Sequence, residues 1–215
     1  MLLAHSSLGD FLKTYLSTSI DSFFREIDII CEHNKINDFQ EWFSERTFVS
    51  VFINAQIRGS NNGKISAIQE YLVDECKTSS KGRCDALLNF DKTLFLIESK
   101  CQKYPRKIDN SHWDMKAWEG YDDYVFKQLE WYLNAETEPN FYLDKTRYNE
   151  VYLQTMIFKV IEADKDEHFS NAYNKMDLSG PMLSKRGWYY DCYYPNAIQM
   201  GKSIGIEIYG SISRV

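Results

Sequence analysis

The segment GRCDALLNFDKTLFLIESK, at positions 82–100, restricts the possible folds of this chain more than any other part of it. It contains two short apolar runs that are separated only by a turn-prone pair, Asp91 and Lys92. Such a pattern predicts a β-hairpin with a two-residue turn. The register of that hairpin places Asp85 directly opposite Glu98.

Three charged side chains meet on one face of the predicted hairpin. Side chains alternate along a strand, so Lys100 shares the face of Glu98, next to the opposed Asp85. Two carboxylates about 5 Å apart repel by about 3 kcal/mol at an effective dielectric of about 20, and a cation between them removes that cost. Oxygen ligands of this kind suit Mg²⁺ or Mn²⁺, and a neighbouring lysine can orient or deprotonate water or stabilise charge on phosphorus. The pattern predicts a hydrolytic metal site, although the same residues can also form a polar strand end with an ion pair.

The periodicity of the apolar residues predicts an α/β fold. Helical spacing predicts one or two helices at 8–33, a helix at 38–58 that begins at the N-cap Asp38, and a helix at about 114–135. Short runs bounded by turn-prone residues predict strands at 65–75, 82–90, 94–101, 150–162, 187–194 and 203–212. This order predicts a central mixed sheet flanked by helices, with N-terminal helices and C-terminal strands added to it.

The composition is that of a folded globular chain. Hydrophobic residues make up 44% and aromatic residues 15% of the 215 residues, shares that a disordered chain does not reach. We expect a single domain over 1–215, with a core at about 38–162, a helical addition at 1–37 and a further addition at 163–215. The sequence contains no apolar run of membrane-spanning length and no signal-peptide pattern, so we expect a cytoplasmic protein with no membrane partner.

Charge and cysteine content exclude several kinds of site. The formal net charge of −6 does not attract polyanions, so binding of nucleic acid would depend on a local basic patch or on cations held by acidic residues. The five cysteines form no CxxC pair and the four histidines show no metal-binding spacing, so we expect neither a disulfide framework nor a zinc site.

Three further groups of residues bear on possible function. Lys103, Arg106 and Lys107 follow the hairpin directly and form either a phosphate-binding patch or a solvated loop. The aromatic run WYYDCYY at 188–194 is more typical of core packing than of base stacking. The adjacent acids at 122–123 are typical of a solvated helix face.

The hairpin resembles the central motif of the PD-(D/E)XK nuclease superfamily, which has the restriction-endonuclease-like fold. In that superfamily an Asp ends one strand and a Glu-x-Lys triplet lies on the next, as Asp85, Glu98 and Lys100 do in this sequence. The αβββαβ core of the superfamily also matches the element order predicted for 38–162. Cys84 stands where the superfamily's name has Pro, at a position that is loosely kept.

The resemblance implies roles for individual residues. Asp85 and Glu98 would bind the metal, and Glu45 corresponds to the glutamate that the superfamily often carries on its first core helix as a third ligand. The implied catalytic set is Asp85, Glu98, Lys100 and Gln128, the last being the glutamine often found on the helix after the motif. Glu45 and Gln128 could equally be solvated helix residues.

Two other acidic residues are weaker candidates for the same site. Glu41 is the alternative to Glu45 on the first core helix, and Glu70 is an acid on the first strand.

The sequence therefore predicts a nuclease that hydrolyses phosphodiester bonds of nucleic acid with Mg²⁺ or Mn²⁺, DNA being favoured over RNA. A homodimer, a partner protein or the terminal additions would supply specificity, since no separate recognition domain is visible. The alternatives are a non-catalytic member of the same fold that binds nucleic acid or protein, and an unrelated α/β interaction protein in which the three charged residues form an ion-pair cluster.

Overall fold

A computed structural model describes residues 2–4, 7–34, 44–59, 65–74, 81–102, 115–134, 145–162, 186–193 and 204–215. Within these ranges, helices pack on a mixed β-sheet in an α/β arrangement. The helices are α1 (Asp10–Asn34), α2 (Glu45–Gly59) and α3 (Met115–Asn134), and a 3-10 turn covers Lys145–Arg147. The strands are β1 (Leu3–Ala4), β2 (Ile65–Asp74), β3 (Lys81–Phe90), β4 (Thr93–Gln102), β5 (Glu150–Glu162), β6 (Gly187–Tyr193) and β7 (Ile204–Arg214).

The strands form one sheet in the order β1-β6-β7-β5-β4-β3-β2. The neighbours β4 and β5 are parallel, and the other neighbouring strands are antiparallel. Parallel neighbours need a long connection, and helix α3 lies within the connection between β4 and β5. The predicted order of helix, three strands, helix and strand is confirmed from α2 to β5.

The two faces of the sheet are covered by different helices. Alternate residues of β4, such as Phe95 and Ile97, pack in one core with α1 and α2, whereas Leu94 and Leu96 pack in a second core with α3. In the first core Phe23 of α1 is fully buried against aromatic rings of α2 and β5. Burial of one such side chain stabilises the fold by about 1.5–3 kcal/mol, so these contacts hold α2 firmly on the sheet.

The β3–β4 hairpin has the predicted turn. Its pairing runs from Phe90–Thr93 to Ala86–Ile97. Both turn residues have positive φ, 46° at Asp91 and 69° at Lys92, as a type I′ turn requires.

Helix α2 begins later than expected. The prediction of one helix from 38 to 58 is wrong at its start, since Ser44 is not helical and the helix begins at Glu45. The Ser44 hydroxyl accepts a hydrogen bond from the backbone N–H of Thr47 at 3.3 Å, which is the contact of an N-cap. The expected cap Asp38 lies outside the described residues. Glu45 is therefore the first residue of the helix and points toward the end of the sheet.

The prediction that Asp122 belongs to a solvated face is wrong. Its side chain is buried and accepts hydrogen bonds from the hydroxyls of Thr155 and Ser211, the latter at 2.7 Å. Arg186 lies 3.2 Å from the same carboxylate and also pairs with the half-buried Asp123. Helix α3 contacts β5 and β7, and Asp122 faces the sheet through its bonds to Thr155 and Ser211.

The aromatic strand behaves as predicted. Trp188, Tyr189 and Tyr190 of β6 are buried and Tyr193 is half-buried, which confirms core packing. Tyr194 lies outside the described residues. None of the helices in the described ranges is both long and apolar enough to cross a lipid bilayer.

Candidate active site

Strands β3 and β4 separate just beyond the predicted site. Their last pair is Ala86–Ile97, but β3 stays paired with β2 as far as Lys81, and β4 stays paired with β5 as far as Gln102. The two halves of the sheet thus form a fork, which we define as the space between residues 81–85 of β3 and 98–102 of β4. Along the fork, one edge of β4 has no neighbouring strand, although β4 lies in the interior of the sheet.

Two carboxylates accept hydrogen bonds from backbone N–H groups along this unpaired edge of β4. The N–H of Ser99 donates to Asp85 Oδ2 at 2.7 Å, and the N–H of Cys101 donates to Glu45 Oε2 at 3.2 Å. A buried N–H without an acceptor costs about 1–3 kcal/mol, so these side chains replace the missing strand. The arrangement brings Glu45 from α2 and Asp85 from β3 to the same edge.

The fork changes one detail of the prediction. Asp85 was expected directly opposite Glu98, but the ladder ends one pair earlier and Asp85 bonds to Ser99, the neighbour of Glu98. The two carboxylates are still close enough for the negative charge of Asp85 to raise the pKa of Glu98.

Lys100 joins two of the carboxylates. Its Nζ lies 3.0 Å from Glu98 Oε1 and 3.5 Å from Glu45 Oε1, and it donates to the carbonyl of Ser99 at 2.6 Å. Burial alone would lower the pKa of Lys100, but the carboxylates of Glu98, Glu45 and Asp85 outweigh burial and raise it. Lys100 therefore keeps its proton at neutral pH.

Glu98 is the most deeply buried acid of the group. Its side chain is 3% exposed, and burial, followed by the charge of Asp85, raises its pKa from 4.5 to about 7 even though Lys100 lowers it. Its Oε2 atom is buried and accepts no hydrogen bond within the described residues by distance and angle, although the backbone N–H of Asp85 is near enough to the carboxylate to lower the pKa of Glu98. A proton, a bound water molecule or a cation can satisfy an acceptor in that state.

A pocket of about 310 Å³ opens beside Asp85 on the side of α2. It is lined by Glu45, Arg46, Val49, Ser50, Gln69 and Asp85. Two of the three carboxylates of the fork thus also form a wall of this pocket.

The described contacts do not connect Gln128 with the cluster. It is half-buried on α3, and its Oε1 is buried without a hydrogen-bond partner in the described residues. Among the described side chains of α3, Tyr121 is near the fork, since its pKa, raised mainly by burial, is also affected by Lys100 and Glu45. Gln128 is two helical turns further on, about 10 Å along the axis at 1.5 Å per residue. Its catalytic role stays a prediction.

Some of the predicted site residues are not among those that the structure describes. Glu41 and the basic residues Lys103, Arg106 and Lys107 are outside the described residues. On β2, Gln69 pairs with Ala86 and Tyr71 pairs with Cys84. The register therefore places the backbone of Glu70 opposite that of Asp85.

Sequence reasoning missed Ser99 and Tyr121. Ser99 is the middle residue of the Glu-x-Lys triplet, and its backbone and hydroxyl both bond to Asp85. Tyr121 lies seven residues before Gln128 on α3, which was a signal that both could lie along one side of that helix.

The donor chemistry of the fork fits a divalent cation, since carboxylate oxygens are the ligands that Mg²⁺ prefers, and Glu98 Oε2 is buried and accepts no hydrogen bond within the described residues. Across the described ranges, however, no three His, Cys, Asp or Glu side chains are already grouped around one metal position. The ammonium of Lys100 lies between Glu45 and Glu98 instead.

Comparisons with protein-family models, with curated proteins and with solved structures found no match. Any assignment of function must therefore come from the geometry of the fork.

Proposed function

We propose that this chain is a divalent-cation-dependent nuclease of the PD-(D/E)XK type, with a restriction-endonuclease-like fold, that hydrolyses phosphodiester bonds of nucleic acid, DNA in preference to RNA. The observation that supports it best is the buried Oε2 of Glu98, which accepts no hydrogen bond within the described residues, at a fork where Asp85, Glu45 and Lys100 also meet.

Asp85 and Glu98 would hold the cation, with Glu45 as the third carboxylate. When bound, the cation supplies positive charge against the phosphate oxygens and makes water more acidic. Glu98 would bind it as the carboxylate, and its pKa of about 7 means that it gives up a proton easily near neutrality.

In the metal-free protein the raised pKa of Lys100 supports a protonated lysine rather than a general base. Lys100 would then donate hydrogen bonds to the negative charge that develops on the phosphate. Its contact with Glu98 at 3.0 Å holds the ammonium beside the reacting group, whereas the contact with Glu45 is longer, at 3.5 Å. Cation binding would replace the contact with Glu45 and preserve the one with Glu98.

A second candidate is a structural ion-pair cluster in a protein without catalytic activity. It is favoured by the absence of a ready three-carboxylate group among the described residues and by the two ion pairs of Lys100. In that case Mg²⁺ would change neither the stability of the protein nor the environment of Lys100.

Calorimetric titration with Mn²⁺ and cleavage of labelled DNA and RNA in single- and double-stranded form separate these candidates. We expect the unmodified protein to bind Mn²⁺ and cleave, and Asp85→Asn and Glu98→Gln to lose both properties while remaining folded by circular dichroism. Glu32→Gln, a change of an exposed glutamate on α1, is the matched control and should behave as the unmodified protein. The nuclease proposal fails if the unmodified protein binds no Mn²⁺ and leaves every substrate intact.

A further inference from the structure

The pocket beside Asp85 has a lining that the proposed chemistry does not use. Arg46 and Ser50 lie one turn apart on α2, and Gln69 comes from the neighbouring strand β2. Asp85 and Glu45 lie in the same lining, so a ligand in the pocket is adjacent to the proposed cation.

The size of the pocket restricts its ligand. A volume of about 310 Å³ is at the lower end of the roughly 300–1,000 Å³ of small-ligand sites. It can hold one nucleotide and is too small for a stacked base pair. A base within a duplex is paired and stacked, so it can enter only from a single strand or after being flipped out.

The polar groups of the lining match the parts of a nucleotide. The guanidinium of Arg46 has a planar set of donors that suits a phosphate, in addition to the contact it makes within the protein. The hydroxyl of Ser50 donates to Gln69 Oε1 at 3.1 Å, which orients the amide and leaves its NH₂ group as a donor to a base edge. The described residues of the lining include no aromatic side chain, so among them recognition would depend on base edges rather than on stacking.

We propose that this pocket holds one unpaired nucleotide next to the bond that is cleaved, with its phosphate on Arg46 and its base edge on Gln69. The inference rests on the proposed nuclease function and adds the substrate class, nucleic acid that is single-stranded or locally unpaired. A fully paired duplex is then a poor substrate.

The test measures binding separately from cleavage. Fluorescence anisotropy follows one labelled oligonucleotide as a single strand and as a blunt duplex, in Mg²⁺, on the Lys100→Met background, where we expect cleavage to be absent. The single strand should bind at least about tenfold more tightly than the duplex, the discrimination that one or two good contacts provide. Gln69→Leu should reduce this preference.

Arg46→Ala should weaken binding of the single strand and lower the slope of log Kobs against log salt concentration by about 0.7, the value for one phosphate contact on a single strand. Arg58→Ala is the matched control, because Arg58 is an exposed arginine at the other end of α2 that pairs with Glu26. It should leave the salt slope unchanged.

The outcomes separate this inference from the nuclease proposal. Equal binding of single strand and duplex, no binding of either, or equal salt slopes for Arg46→Ala and Arg58→Ala would each overturn the inference. If the unmodified protein nevertheless cleaves both forms with Mn²⁺, the nuclease proposal stands alone. If a single strand binds through Arg46 but no substrate is cleaved, the pocket assignment stands and the nuclease proposal fails.

Discussion

Ser99 donates two hydrogen bonds to the same oxygen of Asp85, one from its backbone N–H at 2.7 Å and one from its hydroxyl at 2.8 Å. Within the described residues no hydrogen bond is formed by the other oxygen of this carboxylate. Because one oxygen is fixed twice, the plane of the carboxylate is fixed too, and its second oxygen is left for a ligand. Partners of this kind orient the ligands of metal sites.

Ser99→Ala should weaken Mn²⁺ binding without unfolding the protein. The variant keeps the backbone bond to Asp85 but loses the hydroxyl bond, and loss of such a supporting bond typically costs about 10–100-fold in metal affinity. Isothermal titration calorimetry measures the change, and Ser99→Thr should restore part of the affinity. Ser213→Ala, on the distant strand β7, is the control. Unchanged Mn²⁺ affinity in Ser99→Ala would show that the hydroxyl does not position a metal ligand.

Lys100→Met should abolish cleavage and strengthen Mn²⁺ binding. The ammonium pairs with Glu98 and Glu45, so its removal frees two carboxylates from a competing cation. Loss of a donor to transition-state charge lowers the rate by about 100-fold or more. The cleavage rate on a labelled oligonucleotide and the calorimetric Kd for Mn²⁺ are measured for Lys100→Met and for the unmodified protein in the same buffer. Weaker Mn²⁺ binding in Lys100→Met would contradict the exchange of ammonium for metal.

The stability of the metal-free protein should fall as the pH rises from about 4.5 to about 7 through the contribution of Glu98. Its pKa is raised from 4.5 to about 7 in the folded state, so between these values the folded protein holds a proton that the unfolded chain has lost. This part of the stability is fully present below about 4.5 and is lost above about 7. Glu98→Gln lacks the titrating group.

Urea denaturation in EDTA at pH 5, 6, 7 and 8 tests this dependence. The free energy of unfolding of Glu98→Gln, relative to the unmodified protein, should increase from pH 5 to pH 7 and then level off. Glu32→Gln controls for the loss of one carboxylate elsewhere. Parallel pH profiles for the unmodified protein and Glu98→Gln would mean that Glu98 titrates as in the unfolded chain.

Asp122→Ala should destabilise the protein by about 3–5 kcal/mol, the cost of removing one partner from a buried charged cluster. The change leaves the hydroxyls of Thr155 and Ser211, together with Arg186, without their shared acceptor. Asp123→Ala removes only a half-buried partner of Arg186 and should cost about 1 kcal/mol or less. Denaturation curves measure both, and equal losses would refute the structural role of Asp122.

Two glycines should respond to alanine in opposite directions. A Cβ at Gly210 would overlap the backbone carbonyl of Thr155, so Gly210→Ala should destabilise the protein by about 1–3 kcal/mol. Gly120 is exposed on α3 with open space around it, and Gly120→Ala should stabilise by about 0.5–1 kcal/mol. Thermal denaturation compares the two. A neutral Gly210→Ala would show that β5 and β7 can separate without cost.

Local patterns were enough to predict the elements and the hairpin. The turn at Asp91 and Lys92 and the register up to Ala86–Ile97 follow from the spacing of two apolar runs, and β5 has the predicted bounds, Glu150–Glu162. These features depend on neighbours in the sequence, so a single sequence contains them.

The parts that were not predicted depend on distant contacts. Where the β3–β4 ladder has ended, Glu45, from a helix more than fifty residues away in the chain, accepts a hydrogen bond from the N–H of Cys101. Asp122 looked solvated because an acid follows it, and only the packing of α3 on Thr155 and Ser211 shows it to be buried. No periodicity in the sequence encodes either arrangement.

The tight turn at Asp91 and Lys92 limits how this protein can change during evolution. The side-chain period along a strand is two, so an inserted or deleted residue there would rotate all of β4 and send Glu98 and Lys100 to the side where Ser99 now lies. Both turn residues are exposed, and any pair that tolerates positive φ would serve. Natural selection at this distant surface position should therefore preserve loop length and restrict the two residues to those that tolerate positive φ.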